Sequence, residues 1–436
     1  MGEGSAAPLR QNLWERFGFA GDPFDTAPLP MQAGAGLSVG TAYVQREGIL
    51  DPGTVLRNFL KNPGGGRIVV EGEPGVGKTT FVNFHRHEWE SHGQPPLLSP
   101  ISHISVERDW DERAFILSLL SALSARLRLK LGERKFDRDD LLQQMSAITG
   151  VRMERDGGFS LSATLAGTGG SVSRSTRTKV QVGTLTIVEL RDYLRRLVGK
   201  IRDELGYGGV IFHLDNLELL RAPNEANLQR FFEDIRDTIQ ELDVYFIFVG
   251  YAGMFQETIA PAPRVRSIFF DNPLKIEPLS LEQVHRIIRL RYALLAVRED
   301  RWIAPVEPAV IDYFYETFEG KIRFVMNAVT TLVSYLPDSF ADTLSKTDAT
   351  QMLRTIQQGE IAAHLSKAEV EVFLEAVQLR RFTPTDLSQR TGKSKQLIQK
   401  HLTKLLDRRY VHYGERSGRS QFYEVEPRFH VLCTAT

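Results

Sequence analysis

Residues 72–80 read Gly72-Glu73-Pro74-Gly75-Val76-Gly77-Lys78-Thr79-Thr80 and fit the pattern G-x-x-x-x-G-K-[ST]. The glycines allow backbone N–H groups to turn inward around an anion, and a helix starting at this point adds the positive end of its dipole. The Lys78 ammonium is suited to β- and γ-phosphates, and the Thr79 hydroxyl to Mg²⁺. The whole stretch from Gly72 to Thr80 is therefore a candidate cradle for ATP. Its flanks suit that role: Arg67-Ile68-Val69-Val70 reads as a buried strand leading in, and Thr80-Phe81-Val82-Asn83-Phe84-His85 as a helix leading out. A glycine-rich turn with a chance lysine is the bland alternative, and both flanks argue against it.

A metal-bound polyphosphate also needs a carboxylate. Gly209-Val210-Ile211-Phe212-His213-Leu214-Asp215 is a mostly apolar strand ending in Asp215, which becomes the second Mg²⁺ partner. Hydrolysis further needs a group that orients or deprotonates water. The residue after Asp215 is Asn216, whose amide holds water but is a poor base; Glu218 lies two further on. Either Glu218 serves the water, or turnover is slow and the site acts as a binding switch. Glu218 reads equally well as a solvated surface charge. Arg264 and Arg266, in Pro263-Arg264-Val265-Arg266-Ser267, and Arg323, in Gly320-Lys321-Ile322-Arg323-Phe324, are candidates for stabilising γ-phosphate charge. Each taken alone is an ordinary surface arginine.

Those groups must be held by a sizeable scaffold. The chain has 436 residues, 42% apolar and 25% charged, which suits a globular protein of two to four domains. Net charge is zero, so any nucleic-acid contact must come from a local basic patch. Cys433 is the only cysteine, which excludes intramolecular disulfides and cysteine-based zinc sites and fits a reducing cytoplasm. The ten histidines form no H-x-x-x-H or H-E-x-x-H pattern. The N-terminus lacks a signal-peptide pattern, and the longest apolar run, Tyr245 to Phe255, is too short to span a bilayer. No membrane association is expected.

Residues 1–45 form a Gly/Pro/Ala-rich arm carrying Trp14, Phe17, Phe19 and Phe24, aromatics expected to pin it to a domain. Residues 46–280 alternate between strand and helix patterns, with strands at 67–71, 100–106, 209–214 and 244–250 and helical periods at 110–129 and 187–205. This is the pattern of an α/β fold with a parallel sheet and crossover helices. Residues 157–183 interrupt it with a predicted β-hairpin that bears Arg174, Arg177 and Lys179 and no acidic residue. That segment suits contact with nucleic acid or a partner, or equally a solvated loop. Residues 281–360 form an amphipathic helical lid.

Residues 366–430 read as a separate small domain. Ser366-Lys367-Ala368-Glu369 opens a helix through Val377 with a capping box, Thr383 to Gly392 is a short helix, and Lys393 to Arg409 a longer one. Leu397, Ile398, Leu402, Leu405 and Leu406 are its expected apolar stripe. Tyr410–Tyr413, a turn over Gly414–Gly418, and Ser420–Val425 complete a hairpin. Three helices and a hairpin make a winged helix-turn-helix. Lys393, Lys395, Gln396, Gln399 and Lys400 on the longer helix, with Arg416 and Arg419 at the wing, are the candidate DNA contacts. The lysines and arginines suit phosphates, and Gln396 and Gln399 suit base edges. A winged helix used for protein contact is the alternative.

The chain at this point resembles AAA+ ATPases, above all the origin-recognition and cell-division-control initiators, with TniB and ExeA ATPases as close alternatives. The resemblance covers residues 15–360. Phe17-Gly18-Phe19 with Pro23-Phe24 resembles the opening of ExeA-like chains, and Arg46-Glu47 the box before the phosphate loop. Glu277-Pro278-Leu279-Ser280 and Arg289-Leu290-Arg291-Tyr292 resemble the start of the lid, and Gly320 to Arg323 its sensor 2 motif. The resemblance implies a P-loop AAA+ core with a helical lid. It also implies Arg323 as sensor 2 and Arg264 or Arg266 as an arginine finger shared between subunits of a homo-oligomer. Two departures stand out: Asn216 after Asp215, and Val249-Gly250-Tyr251-Ala252 where sensor 1 belongs, which leaves Tyr251 as the only polar choice. The implied function is ATP-controlled assembly on DNA, in replication, transposition or a mobile-element or defence system, with a protein partner of that system as a further candidate. A rival is a signalling switch of the STAND type whose winged helix mediates protein contacts.

Overall fold

The structure is a computed structural model that describes residues 12–32, 36–46, 51–108, 110–150, 185–221, 225–299, 301–417 and 420–433. The hairpin expected at 157–183 and Arg419 of the wing lie outside the described residues. Two compact units are present: one holds residues 28–277, the other joins residues 12–27 to 278–433.

Among the described residues the first unit is built on six strands: β1 Gly65–Glu71, β2 Leu97–Leu98, β3 Ile104–Ser105, β4 Gly209–Asp215, β5 Val244–Gly250 and β6 Leu274–Lys275. Their order is β2, β4, β5, β1, β6, with β3 also on β4, and every pairing is parallel. Every residue of β4 and β5 is buried, as expected of strands covered on both faces. Alternation along each strand divides them between two cores. Phe212, Phe246 and Phe248 join one layer with Phe115 and Leu119; Ile211, Tyr245 and Ile247 join the other with Phe81 and Val82. Each fully buried side chain of this size contributes about 2–3 kcal/mol.

Three long helices cover these faces: α1 Lys78–His92, α2 Glu112–Leu131 and α3 Ile187–Leu205. Local chemistry fixes their ends. Asp111 caps α2 by accepting from the Ala114 amide, Thr186 and Glu189 form a capping box for α3, and Gly206 ends α3 in the left-handed region. Of the strand expected at 100–106 only β3 forms within that range, and β2 precedes it. Pro100 lies between them and has no N–H to give to a ladder, and its carbonyl, with that of Ser102, accepts from the Arg86 guanidinium.

The second unit holds helices α4 Leu281–Leu295, α5 Pro308–Thr317, α6 Ile322–Tyr335 and α7 Lys346–His364. The N-terminal aromatics pack on it: Trp14, Phe17, Phe19 and Phe24 are all buried. Phe19 stacks on Tyr292 of α4 with centroids 5.1 Å apart and lies 5.8 Å from Trp302. Arg291 of α4 holds the arm through the carbonyls of Pro23 and Asp25, at 3.2 and 2.6 Å.

In the same unit follow α8 Lys367–Leu379, strand β7 Arg381–Phe382, α9 Pro384–Thr391, α10 Lys395–Asp407, and strands β8 Val411–Ser417 and β9 Ser420–Val425. The three strands form an antiparallel sheet in the order β7, β9, β8. Capping boxes at Ser366/Glu369 and Thr383/Asp386 start α8 and α9, and Gly392, at φ 68°, ends α9. Strand β8 runs through most of the turn read at 414–418, as far as Ser417. Gly414 instead sits where the pairing of β8 with β9 slips, against the Glu424 side chain. The buried stripe of α10 is Ile398, His401, Leu402 and Leu405, while Leu397 is 40% exposed. Leu397 is one residue, a rotation of about 100°, off the inward face.

Candidate nucleotide-binding site

The loop after β1 turns through three glycines with positive φ: Gly72 at 159°, Gly75 at 84° and Gly77 at 93°. A side chain at Gly72 would meet the Ile276 carbonyl at 2.5 Å, so only glycine fits there. Gly77 is the N-cap of α1, which aims the dipole of that 15-residue helix at the loop. Val76 anchors the loop in the core, fully buried. From below, Arg46 braces it: its guanidinium donates to the Val76 carbonyl at 2.5 Å and to the Glu277 carbonyl at 2.6 Å. Burial lowers the pKa of that guanidinium.

The Lys78 ammonium donates to the carbonyls of Gly72 at 2.8 Å and Glu73 at 3.0 Å, which places it across the mouth of the loop. One residue on, the Thr79 hydroxyl donates to Asp215 Oδ2 at 2.6 Å. Thr80 accepts from the Leu29 amide at 3.3 Å, so its hydroxyl faces the scaffold. The sequence separates Thr79 and Asp215 by 136 residues, and the pairing of α1 with the end of β4 brings them together. A hydroxyl beside a carboxylate is a hard oxygen pair suited to Mg²⁺, which takes few protein ligands and completes its shell with phosphate and water. Among the described residues, no cluster of three or more His, Cys, Asp or Glu side chains offers a closed metal cage.

Asp215 is nearly buried, and its second oxygen accepts from the Asn216 amide at 2.9 Å. Asn216 itself is in the left-handed region at φ 63°, which asparagine tolerates. Its side-chain amide donates to Ser105 at 2.8 Å and is thereby tied to β3. Glu218 is exposed, in the first turn of the short helix Glu218–Arg221. The Tyr251 hydroxyl lies 3.5 Å from the Thr258 hydroxyl. Glu71, the last residue of β1, is buried and accepts from the Phe255 amide at 3.2 Å. Burial raises its carboxyl pKa against the pull of that bond and of Lys275.

Behind Asp215 lies a buried polar network that the motifs did not reveal. Arg86 of α1 is fully buried and donates to Ser99 at 2.7 Å, to Asn83 at 2.9 Å, and to the carbonyls of Pro100 and Ser102. It also lies 3.4 Å from Nδ1 of His213 on β4. Burial pulls its pKa down to about 9, so it remains charged at neutral pH. The only hint in the sequence was a histidine inside the apolar strand that ends at Asp215.

The remaining arginines divide by position. Arg264 and Arg266 are exposed on the single turn Pro263–Arg266, and Arg266 pairs with Asp271 at 3.2 Å. Arg323 is exposed in the first turn of α6, in the other unit. In that unit Lys395, Gln396, Gln399 and Lys400 are exposed on α10, whereas Lys393 pairs with Glu371 at 3.0 Å. Arg416 lies in β8 opposite Gln421.

The sequence pattern of the KAP family P-loop domain matches residues 58–412. The chain belongs to this family. As a KAP-type P-loop protein it is a nucleoside triphosphatase by class, and the expectation of a P-loop α/β fold is borne out. Similar solved structures include the Aeropyrum pernix ORC1 protein in complex with DNA, at 15% identity over 87% of this chain and 89% of that one, with a TM-score of 0.42. The ADP form of the Aeropyrum pernix ORC2 protein is 15% identical over 94% of this chain and 95% of that one, with a TM-score of 0.44. Cdc6p from Pyrobaculum aerophilum is 14% identical over 90% and 96%, with a TM-score of 0.38. No curated protein matches the chain by sequence. No helix among the described residues is long and apolar enough to cross a membrane.

Proposed function

We propose that this chain is a slow, Mg²⁺-dependent ATPase of AAA+ type that assembles on DNA as a homo-oligomer under nucleotide control. The observation that carries the reading is the juxtaposition of Lys78, Thr79 and Asp215 around the glycine loop, with Asn216 in the place of a base and tied to Ser105. Lys78 binds the β- and γ-phosphates, and Thr79 and Asp215 hold the metal. Mg²⁺, when bound, supplies charge neutralisation on the phosphoryl oxygens. Without a carboxylate beside the water, turnover is slow and the bound nucleotide serves as a timer. Arg264, exposed and without the partner that holds Arg266, is the better arginine finger for a neighbouring subunit.

The DNA contact is assigned to residues 366–430 acting as a winged helix. Lys395, Gln396, Gln399 and Lys400 crowd the exposed start of α10, and no acidic residue occurs from Lys393 to Leu406. Repeating this small patch over several subunits compensates for the neutral chain. A signalling switch remains the second reading, favoured by the engaged Asn216 and by the ion pair of Lys393 with Glu371. Fluorescence anisotropy of labelled duplex DNA, with and without ATP–Mg²⁺, on wild type and Lys78→Ala decides between them. DNA binding that requires ATP and is lost in the variant supports the proposal. No DNA binding in either state points to the switch.

A further inference from the structure

His213 has a buried donor with nothing to bond. Its ring is fully enclosed, and Nε2 has no hydrogen-bond partner among the described residues. The ring's other nitrogen, Nδ1, faces the Arg86 guanidinium at 3.4 Å. A guanidinium only donates, so Nδ1 must be the acceptor and the ring hydrogen must sit on Nε2. Nε2 lies 3.7 Å from Oδ2 of Asp215, just beyond hydrogen-bond reach. Oδ2 is the same oxygen that accepts from Thr79 at 2.6 Å. The chain of contacts therefore starts on α1, eight residues beyond Lys78, passes through Arg86 and His213, and ends at the carboxylate assigned to the metal.

We propose that His213, its tautomer set by Arg86, is a positioning residue that holds the Asp215 carboxylate toward the divalent cation of the bound nucleotide. A buried N–H without an acceptor is costly, and the carboxylate oxygen that Thr79 engages lies 3.7 Å away. When the Thr79 hydroxyl turns to the metal, His213 is the donor left beside Oδ2, while the Asn216 amide stays on Oδ1. Ligands of a metal site depend on such outer hydrogen bonds for their orientation. Arg86 does the corresponding work on the ring: Ser99, Asn83, Pro100 and Ser102 fix its fork, so the ring sees a rigid donor. The His103 ring lies tilted beside that of His213, with centroids 5.5 Å apart.

This inference rests on the reading of Thr79 and Asp215 as the metal pair, and the test separates the two. His213→Asn leaves an amide oxygen near the Nδ1 position for Arg86 but no donor at the Nε2 position. His213→Gln reaches the Nε2 position with its amide. A fluorescent ATP analogue is titrated into full-length wild type and both variants, in EDTA and over a range of MgCl₂. All three should bind alike in EDTA. Wild type and His213→Gln should tighten over the same Mg²⁺ range, and His213→Asn should need roughly tenfold more Mg²⁺. An unchanged Mg²⁺ dependence in His213→Asn overturns the role of His213 and leaves the metal pair standing. No effect of Mg²⁺ on wild type overturns both. Should His213→Asn fail to fold by its melting curve, His213→Phe keeps the ring volume without the donor and is expected to show the same tenfold shift.

Discussion

Replacing Arg86 by methionine should destabilise the residue 28–277 unit by about 3 kcal/mol. The substitution keeps most of the side-chain volume, so the cavity contribution is small and the loss is polar. Three buried acceptors are orphaned: the Asn83 side-chain oxygen, the Pro100 carbonyl and Nδ1 of His213, whereas the carbonyl of Ser102, an exposed residue, can turn to water. Ser99 loses a donor but still donates to the Ile211 carbonyl at 3.0 Å. At about 1 kcal/mol for each buried group left unpaired, three such groups give about 3 kcal/mol. For a unit of this size, 1 kcal/mol moves the melting temperature by about 2–4 °C, so the expected drop is roughly 6–12 °C. The effect should be flat between pH 6 and 8, because a folded-state pKa of about 9 keeps the guanidinium charged there in both folded and unfolded chains. Differential scanning fluorimetry across that pH range is the assay. A melting temperature within 2 °C of wild type, or above it, would refute the reasoning: desolvation of the buried charge would then balance everything the network contributes.

Other expectations follow from the same structure. Asp22 has a carboxyl pKa raised to about 6, chiefly by burial, with Asp25 adding to the rise. Its folded pKa lies above the unfolded one, so stability falls as pH rises from about 4 to 6. Asp22→Asn should therefore raise the melting temperature at pH 7.5 and leave it unchanged at pH 4, read by the same fluorimetry. Lys395→Glu/Lys400→Glu should abolish DNA binding at 150 mM salt, since each lysine–phosphate contact accounts for a slope of about 0.9 in log affinity against log salt. Lys393→Glu should weaken it less, because Lys393 is already paired with Glu371. Equal effects from the two variants would argue that α10 meets DNA in another orientation.

The chemistry at the loop was legible because it is local. Gly72, Gly75 and Gly77 are needed for backbone angles that other residues resist, and Lys78 and Thr79 follow at a fixed spacing. Asp215 was legible for a different reason: a carboxylate ending an apolar run is conspicuous where both faces of the strand are buried. What escaped were contacts whose partners are far apart in sequence. Nothing local ties Arg86 to His213, 127 residues away, or Asn216 to Ser105, 111 residues back. β7 and β6 are two residues each, too short for any periodicity to show. The ion pair of Lys393 likewise depends on how α8 and α9 pack, so its charge looked free from composition alone.

Lys78, Thr79 and Asp215 together make one candidate metal–nucleotide site. Isothermal titration of ATP–Mg²⁺ into wild type and Lys78→Ala tests this most directly. Loss of a charge-assisted bond to phosphate should weaken binding by at least about tenfold. Equal affinity in the two proteins would contradict the assignment of this loop as the phosphate site.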